Sequence, residues 1–170
     1  MKKRVLLVIA MVLIAALVVS CASSAPAKAD AKKTDAAAAD KPIKLKAQKA
    51  KLVSGGGEGI RMEDGGNVGY WGNLNDQIVW TLEIPEDGDY VVSVQYSVAE
   101  NFANATVKVT VGDQVLPDWT VVSTGTWGSY KNVDLGTLTL KAGSYPVTMQ
   151  ATAIANRFVA NTKYLLFTKK

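Results

Sequence analysis

Three acidic residues in a glycine-rich stretch, Glu58, Glu63 and Asp64, are the candidates for acid–base chemistry. Hydrolysis of a glycosidic bond needs two carboxyl groups about 5 to 10 Å apart. Acidic residues among glycines are more often solvated loop residues, and the three glycines at 55–57 precede no phosphate-binding helix. The chain has no histidine and one cysteine, which excludes His-ligated zinc, a Ser-His-Asp triad and a Cys-His pair. We therefore expect no enzyme activity.

The charge distribution argues against a nucleic-acid partner. The formal net charge is +4, but three basic residues lie at positions 2–4, and segment 21–50 holds seven lysines and three aspartates. Residues 51–170 hold 9 basic and 12 acidic side chains. A nucleic-acid-binding surface needs clustered Lys and Arg on the folded domain, so a neutral or weakly polar ligand fits better.

The amino terminus has the pattern of an export signal. A positive segment at 2–4 precedes an apolar run at 5–19, which is shorter than the roughly twenty residues of a membrane-spanning helix. The run ends in Leu-Val-Val-Ser-Cys-Ala at 17–22, which resembles a bacterial lipobox. The resemblance implies a signal peptide at 1–20 that is cleaved before Cys21. It also implies diacylglycerol on the Cys21 sulfur and an acyl chain such as palmitate on the new amine.

The same resemblance implies a lipid-anchored protein of the cell envelope. Ala22 and Ser23 differ from the aspartate that retains many Gram-negative lipoproteins at the inner membrane, so the outer membrane or the cell surface is favoured. The alternative is an ordinary signal peptide followed by an incidental free cysteine. Residues 21–43, rich in Ala, Lys and Asp, cannot bury enough apolar surface to fold and are predicted to form a flexible linker.

Residues 44–170 are predicted to form one all-β domain. The segments 77–84 and 90–96 alternate apolar and polar residues, and a turn at 85–89 separates them. Further strands are expected at 105–111, 115–122, 133–140, 145–151 and 163–168. Eight or nine short strands with frequent turn signals indicate a sandwich or a barrel around one core.

Three segments, in order, resemble the carbohydrate-binding modules of families six and thirty-five. They are Gly-Asn-Val-Gly-Tyr-Trp-Gly at 66–72 with the strands after it, Ser-Thr-Gly-Thr-Trp-Gly-Ser-Tyr at 123–130, and Asn-Thr-Lys-Tyr-Leu-Leu-Phe at 161–167. The match runs from about residue 46 to 168. It implies a single jelly-roll β-sandwich of the galactose-binding-like type, which binds a poly- or oligosaccharide.

The family's binding cleft uses two aromatic rings that sandwich a sugar and an asparagine that orients it. Carried over by position, these residues are Tyr70, Trp127 and Asn161. Rigid aromatic rings lose little entropy on binding, and an amide both donates and accepts hydrogen bonds, so it can recognise vicinal hydroxyls.

Several residues near this predicted cleft have purely structural alternatives. Tyr70 could be an aromatic of the rim without a ligand, and Tyr130 could take the place of the family's second aromatic, which is more often structural. Trp71 and Trp80 are expected in the core, and the role of Trp119 stays open. The polar side chains that either add hydrogen bonds at the rim or simply form a turn are Asn73, Asn75 and Asp76.

The resemblance fails at the family's structural calcium. Calcium needs six to eight oxygen ligands, and the family supplies three carboxylates from its first and last strands. The matching positions here are Lys46, Gln48 and Lys163. Two ammonium groups would repel the ion, so we expect the calcium site to be lost and no cofactor or metal to be bound.

The main rival hypothesis is an adhesin-like or structural sandwich that binds a protein partner. A sugar site predicts exposed rings on either side of a groove, whereas a protein interface predicts a larger and flatter apolar patch.

Overall fold

The computed structural model describes residues 41–57 and 59–170. The predicted signal peptide 1–20, Cys21, most of the predicted linker 21–43 and Glu58 lie outside the described residues. Two short 3-10 turns, Ala47–Lys49 and Glu100–Phe102, accompany strands in the described ranges. The strands are β1 Ile43–Lys46, β2 Lys51–Val53, β3 Arg61–Met62, β4 Val68–Gly69, β5 Gln77–Ile84, β6 Gly88–Ser97, β7 Thr106–Val111, β8 Gln114–Val115, β9 Trp119–Thr120, β10 Lys131–Leu140, β11 Gly143–Ala153 and β12 Asn161–Lys169.

These strands form two antiparallel sheets that pack as a sandwich. The first sheet has the order β10-β6-β12-β4-β3, and β1 also pairs with β12. The second has the order β2-β5-β11-β7-β8, and β9 also pairs with β7. The β1–β12 ladder, from Ile43 opposite Phe167 to Lys46 opposite Tyr164, holds the two ends of the domain together. The predicted all-β sandwich is therefore confirmed.

Alternating strand patterns build the core between the sheets. In β5 and β6 every second residue is buried, as the sequence predicts: Ile78, Trp80, Leu82, Ile84, Tyr90, Val92, Val94 and Tyr96. The last strand adds Leu165 and Phe167, both without exposed surface. Burial of a large apolar side chain contributes roughly 1.5–3 kcal/mol. Trp80 also donates an indole N–H bond of 2.9 Å to the Lys46 carbonyl, so its polar atom is satisfied within the core.

Two predicted strands differ from the structure. The segment 115–122 is broken into β8 and β9, because Pro117 lacks the N–H that a continuous ladder needs. Trp119, left open by the sequence, is 7% exposed, and its ring meets Tyr96 edge-on at 4.7 Å. The expected first strand at 46–48 is instead the end of β1 followed by the turn Ala47–Lys49, in which Ala47 is fully buried.

Strand register places four loops at one end of the sandwich. Asn161 lies opposite Ser97, and Lys131 lies opposite Tyr96, so the amino ends of β12 and β10 meet the carboxyl end of β6. The loops before β5, before β10 and before β12 therefore gather beside the turn Glu100–Phe102. Among the described residues, no helix has the length and hydropathy needed to cross a membrane.

Candidate functional site

These four loops and the turn between β3 and β4 enclose an open pocket of about 320 Å³, which we call the aromatic pocket. The residues that line it are Glu63, Tyr70, Phe102, Trp127, Phe158, Ala160 and Asn161. The structure therefore brings the three predicted site residues, Tyr70, Trp127 and Asn161, to one pocket, although they lie far apart in the sequence.

Tyr70 is presented by a strained turn directly after β4. Its φ of 53° lies in the left-handed region, which costs a bulky residue of order 1–3 kcal/mol. The turn leaves Tyr70 38% exposed and buries the next residue, Trp71, completely, as predicted. The guanidinium carbon of Arg61 lies 3.3 Å from the Tyr70 ring centroid. This group covers one face of the ring, so only the opposite face is left for stacking.

Trp127 is half-buried in a loop that hydrogen bonds hold in place. The buried Ser97 hydroxyl donates to the Trp127 carbonyl at 2.6 Å. Thr124, 6% exposed, accepts the Val98 N–H at 2.9 Å through its hydroxyl. The indole ring leans on Phe102, with centroids 5.2 Å apart and planes at 51°. The backbone of this loop is therefore fixed before any ligand arrives.

Two phenylalanines that the sequence reasoning missed lie between the predicted rings. Phe158 meets the Tyr70 ring edge-on at 5.7 Å, and Phe102 lies 6.0 Å from Phe158 at an interplanar angle of 30°. Ring contacts thus run from Tyr70 through Phe158 and Phe102 to Trp127. Tyr70 and Trp127 line the same pocket, but the apolar rings of the two phenylalanines lie along the path between them. Neither phenylalanine is flanked by glycines, the context that singled out Trp127.

The polar groups of the aromatic pocket meet above Gly69. A Cβ at Gly69 would collide with the Glu63 carboxylate and would lie 2.9 Å from Asn161 Oδ1. Glycine at this position therefore lets both side chains approach the backbone closely. The Asn67 side-chain amide, 4% exposed, donates to Glu63 Oε2 and orients the carboxylate. Glu63 is thus a pocket residue, while Asp64 lines only a neighbouring depression among the described residues.

The loop residues Asn73, Asn75 and Asp76 form a turn. Asp76 is 1% exposed, and its carboxylate accepts the N–H groups of Gly55 at 2.7 Å and Asn73 at 3.1 Å. Asn73 Oδ1 accepts the Asn75 N–H at 2.9 Å. Asp76 therefore has a structural role in this turn. Its carboxylate joins the loop to the glycine-rich segment.

Two further depressions adjoin the aromatic pocket. One, of about 540 Å³, shares Tyr70, Trp127 and Asn161 with it and extends towards Tyr130. The other, of about 250 Å³, shares Tyr70 and extends along the glycine-rich segment. Tyr70 borders all three, so the exposed surface around it is longer than the aromatic pocket alone.

The sequence model of the carbohydrate-binding module of family 35 matches residues 66–158, more than half of the chain. The chain belongs to this family. The matched residues include Tyr70 and Trp127, and Asn161 follows three residues later. The resemblance to family six and family thirty-five modules is therefore confirmed.

Solved structures agree with the fold of the module. The C-terminal family 6 module of the laminarinase LamC from Zobellia galactanivorans has a TM-score of 0.61 at 20% identity, covering 76% of this chain and 100% of that chain. A family 35 module from Clostridium thermocellum has a TM-score of 0.59 at 23% identity, covering 76% and 99%. The module CBM6cm-2 of Cellvibrio mixtus lichenase 5A, in complex with cellotriose, has a TM-score of 0.56 at 21% identity, covering 75% and 97%. No curated protein matches the chain.

The residues at the family's calcium positions do not suit calcium in this module. Lys163 Nζ lies 3.9 Å from the Tyr130 ring centroid, and the Lys46 carbonyl accepts the Trp80 indole N–H. The Gln48 amide packs closely against Gly66. Calcium requires oxygen ligands with several carboxylates, whereas these three side chains supply two cations and one amide. The donor set does not fit the ion, and loss of the site stays a prediction.

Proposed function

We propose that this protein is a membrane-anchored lipoprotein whose module captures glycan in the aromatic pocket without catalysis. The observation that most supports it is the lining of the pocket: four aromatic rings, an asparagine and a carboxylate around about 320 Å³ of open space. Ligand sites of this size are typically apolar walls with a few well-placed polar groups.

The chemistry of a sugar matches both kinds of wall. A pyranose ring has apolar C–H faces, which suit the flat surfaces of Tyr70 and Trp127. Its hydroxyl groups suit Asn161 and Glu63, because an amide donates and accepts while a carboxylate accepts strongly. The related Cellvibrio mixtus module was solved with cellotriose, which supports an oligosaccharide as the class of ligand.

The shape of the surface favours glycan over a protein partner. A stable protein interface requires roughly 800 Å² on each partner. The large apolar side chains exposed among the described residues are Val53, Met62, Tyr70, Leu74, Val115 and Val122. Met62 and Tyr70 both line a concave depression, whereas a protein interface predicts a larger and flatter apolar patch.

The sugar hypothesis is tested on a glycan array with full-length protein in a detergent that has no sugar headgroup. Trp127→Ala and Tyr70→Ala should each weaken binding about ten-fold or more, which is about 1.4 kcal/mol. The matched control is Tyr164→Ala, because the half-buried Tyr164 ring lines none of the three depressions. A folded parent protein that binds no plant, microbial or host glycan would instead support a protein partner.

The anchor is tested separately by metabolic labelling. The lipobox resemblance predicts that cells incorporate radiolabelled palmitate into the protein, and that Cys21→Ser abolishes this label. Two or more acyl chains give stable membrane attachment, so the parent protein should sediment with the membranes of the envelope, with the outer membrane favoured. A soluble, unlabelled parent protein would contradict the anchor and leave the sugar hypothesis intact.

A further inference from the structure

We infer that the aromatic pocket selects glycans built from N-acetylated amino sugars. This inference rests on the proposed glycan binding and concerns the chemical class of the sugar. It follows from two walls of the pocket, one apolar and one that accepts hydrogen bonds, which favour different groups on the ligand.

The first wall is apolar and lies where the edge of a bound sugar enters. Phe102, Phe158 and Ala160 line the pocket, and the two phenylalanine rings lie 6.0 Å apart. Ala160 is 2% exposed, so the surface of this wall comes mainly from the two half-buried phenylalanine rings. A sugar stacked on Tyr70 or Trp127 turns its ring edge towards this wall, and a plain hexose carries hydroxyl groups there.

A hydroxyl group pressed against this wall would lose its bonds to water without replacement. Burial of a polar group without a partner is unfavourable, whereas burial of a methyl group on phenylalanine rings is favourable. The group that enters should therefore end in a methyl.

The second wall accepts hydrogen bonds. The Glu63 carboxylate and Asn161 Oδ1 both lie against Gly69, so their oxygens are close to each other. An ionised carboxylate is an acceptor with about four positions, so Glu63 can accept from a ligand and keep its bond to Asn67. The ligand should therefore present a donor within a few bonds of its methyl group.

An acetamido substituent meets both demands. Its N–H donates, its methyl is apolar, and its carbonyl can accept from the Asn161 side-chain N–H. A free amino sugar would satisfy Glu63 by charge but leave the phenylalanines without a partner. A 6-deoxy sugar would fill the apolar wall but lack the amide donor.

Three trimers with the same β-1,4 backbone separate an acetamido group from a hydroxyl group and from a free amine: N-acetylglucosamine trimer, cellotriose and glucosamine trimer. Isothermal titration with the full-length protein should give at least about ten-fold tighter binding for the acetylated trimer than for cellotriose, since one buried methyl-sized group discriminates by about that factor. Glucosamine trimer should also bind more weakly. This comparison uses the unaltered chain and does not depend on how any variant folds.

Variants at Phe158 test the origin of the preference. Phe158→Asn places a polar group in the apolar wall and should remove most of the preference for the acetylated trimer. Phe158→Leu keeps the wall apolar and should retain it, and thermal melting of both variants checks their folding.

Other outcomes overturn the inference. Equal or tighter binding of cellotriose would do so while leaving glycan capture intact. Glucosamine trimer binding as tightly as the acetylated trimer would attribute recognition to charge alone. Binding to other glycans on the array but to none of the trimers would also reject it. The absence of any glycan binding would reject the proposed function itself.

Discussion

Arg61 and Tyr70 form the closest cation–ring contact in the described part of the chain, with the guanidinium carbon 3.3 Å from the ring centroid. At this separation a planar guanidinium stacks on the ring and restrains it. Since Tyr70 also holds an unfavourable φ of 53°, the stack helps to stabilise a strained residue. The orientation of the Tyr70 ring is therefore set partly by Arg61.

Replacement of this arginine tests that role. Arg61→Lys keeps the charge but loses the flat stacking surface, so glycan affinity should fall about two- to five-fold, the equivalent of an exposed cation–π contact of 0.5–1 kcal/mol. Arg157→Lys serves as the matched control, because its guanidinium carbon lies 5.0 Å from the Phe158 ring centroid and its contact is weaker. Isothermal titration measures both variants. An affinity loss as large for Arg157→Lys would show that the effect does not come from the close guanidinium stack on Tyr70.

A single residue of the site was predictable where its neighbours in the sequence offer it no apolar packing. Trp127 lies between glycines with no apolar partner in sequence, and the structure places it on the pocket. Phe102 and Phe158 were not predicted, because each joins the pocket through contacts between loops that are far apart in sequence. The approach of Glu63 to Asn161 depends on the absence of a side chain at Gly69. Sequence spacing alone does not show such a contact.

At the scale of elements, the Trp127 loop depends on hydroxyl groups from its surroundings. Thr124 Oγ1 accepts the Val98 N–H at 2.9 Å, and the site is buried. Thr124→Val would leave that N–H without a partner, which costs about 1–3 kcal/mol of unfolding free energy. Thr124→Ser, which keeps the hydroxyl, should cost less, and urea denaturation measures both. A loss in Thr124→Val no larger than in Thr124→Ser would contradict this account, because valine keeps the methyl group and removes only the hydroxyl that accepts the Val98 N–H.

The elements themselves were predictable in proportion to the length of their apolar pattern. β5 matches its predicted bounds, and β6 is longer than predicted by two residues at its start and one at its end. Both strands were predicted well because each contains four alternating apolar residues. β3, β4, β8 and β9 span two residues each. Such short strands exist because neighbouring strands pair with them, and a pattern of two residues cannot reveal that.

For the whole molecule, the buried Tyr96 couples stability to pH. Burial raises the pKa of the Tyr96 hydroxyl above its ordinary value of 10.0, and the protonated hydroxyl donates a hydrogen bond to the Val122 carbonyl at 2.9 Å. As the pH rises, Tyr96 therefore loses its hydroxyl proton at a higher pH in the folded state than in the unfolded state. The contribution of Tyr96 to the free energy of unfolding is fully present below pH 10, and it is lost as the pH rises through the raised pKa of the folded state.

Chemical denaturation between pH 8 and about pH 11 should show this loss. Tyr96→Phe cannot ionise at this position, so its unfolding free energy should fall less steeply above pH 10 than that of the parent protein. The variant also loses the bond to Val122, which lowers its stability at the lower pH values, where Tyr96 of the parent protein is protonated and donates that bond. An unchanged slope in Tyr96→Phe would assign the alkaline loss to other groups.

The pairing of the first and last strands leads to a test of the predicted loss of calcium. The ladder of β1 with β12 joins the two ends of the domain through four residue pairs. Because backbone pairing already performs this task and Lys46 and Lys163 repel cations, the melting temperature Tm of the parent protein should be the same in calcium and in EDTA.

The reverse substitution makes the prediction stricter. A triple variant with Lys46→Glu, Gln48→Glu and Lys163→Asp restores the family's carboxylates. Any ion that binds the folded state adds stability by mass action, about 2.7 kcal/mol at a hundred times its Kd. The Tm of this variant should therefore rise with calcium and fall back in EDTA, while its stability without the ion should lie below that of the parent because three carboxylates repel each other. A parent protein whose Tm falls in EDTA would show that other oxygens of this chain hold the ion, and the lysines would then have to lie outside its ligand shell.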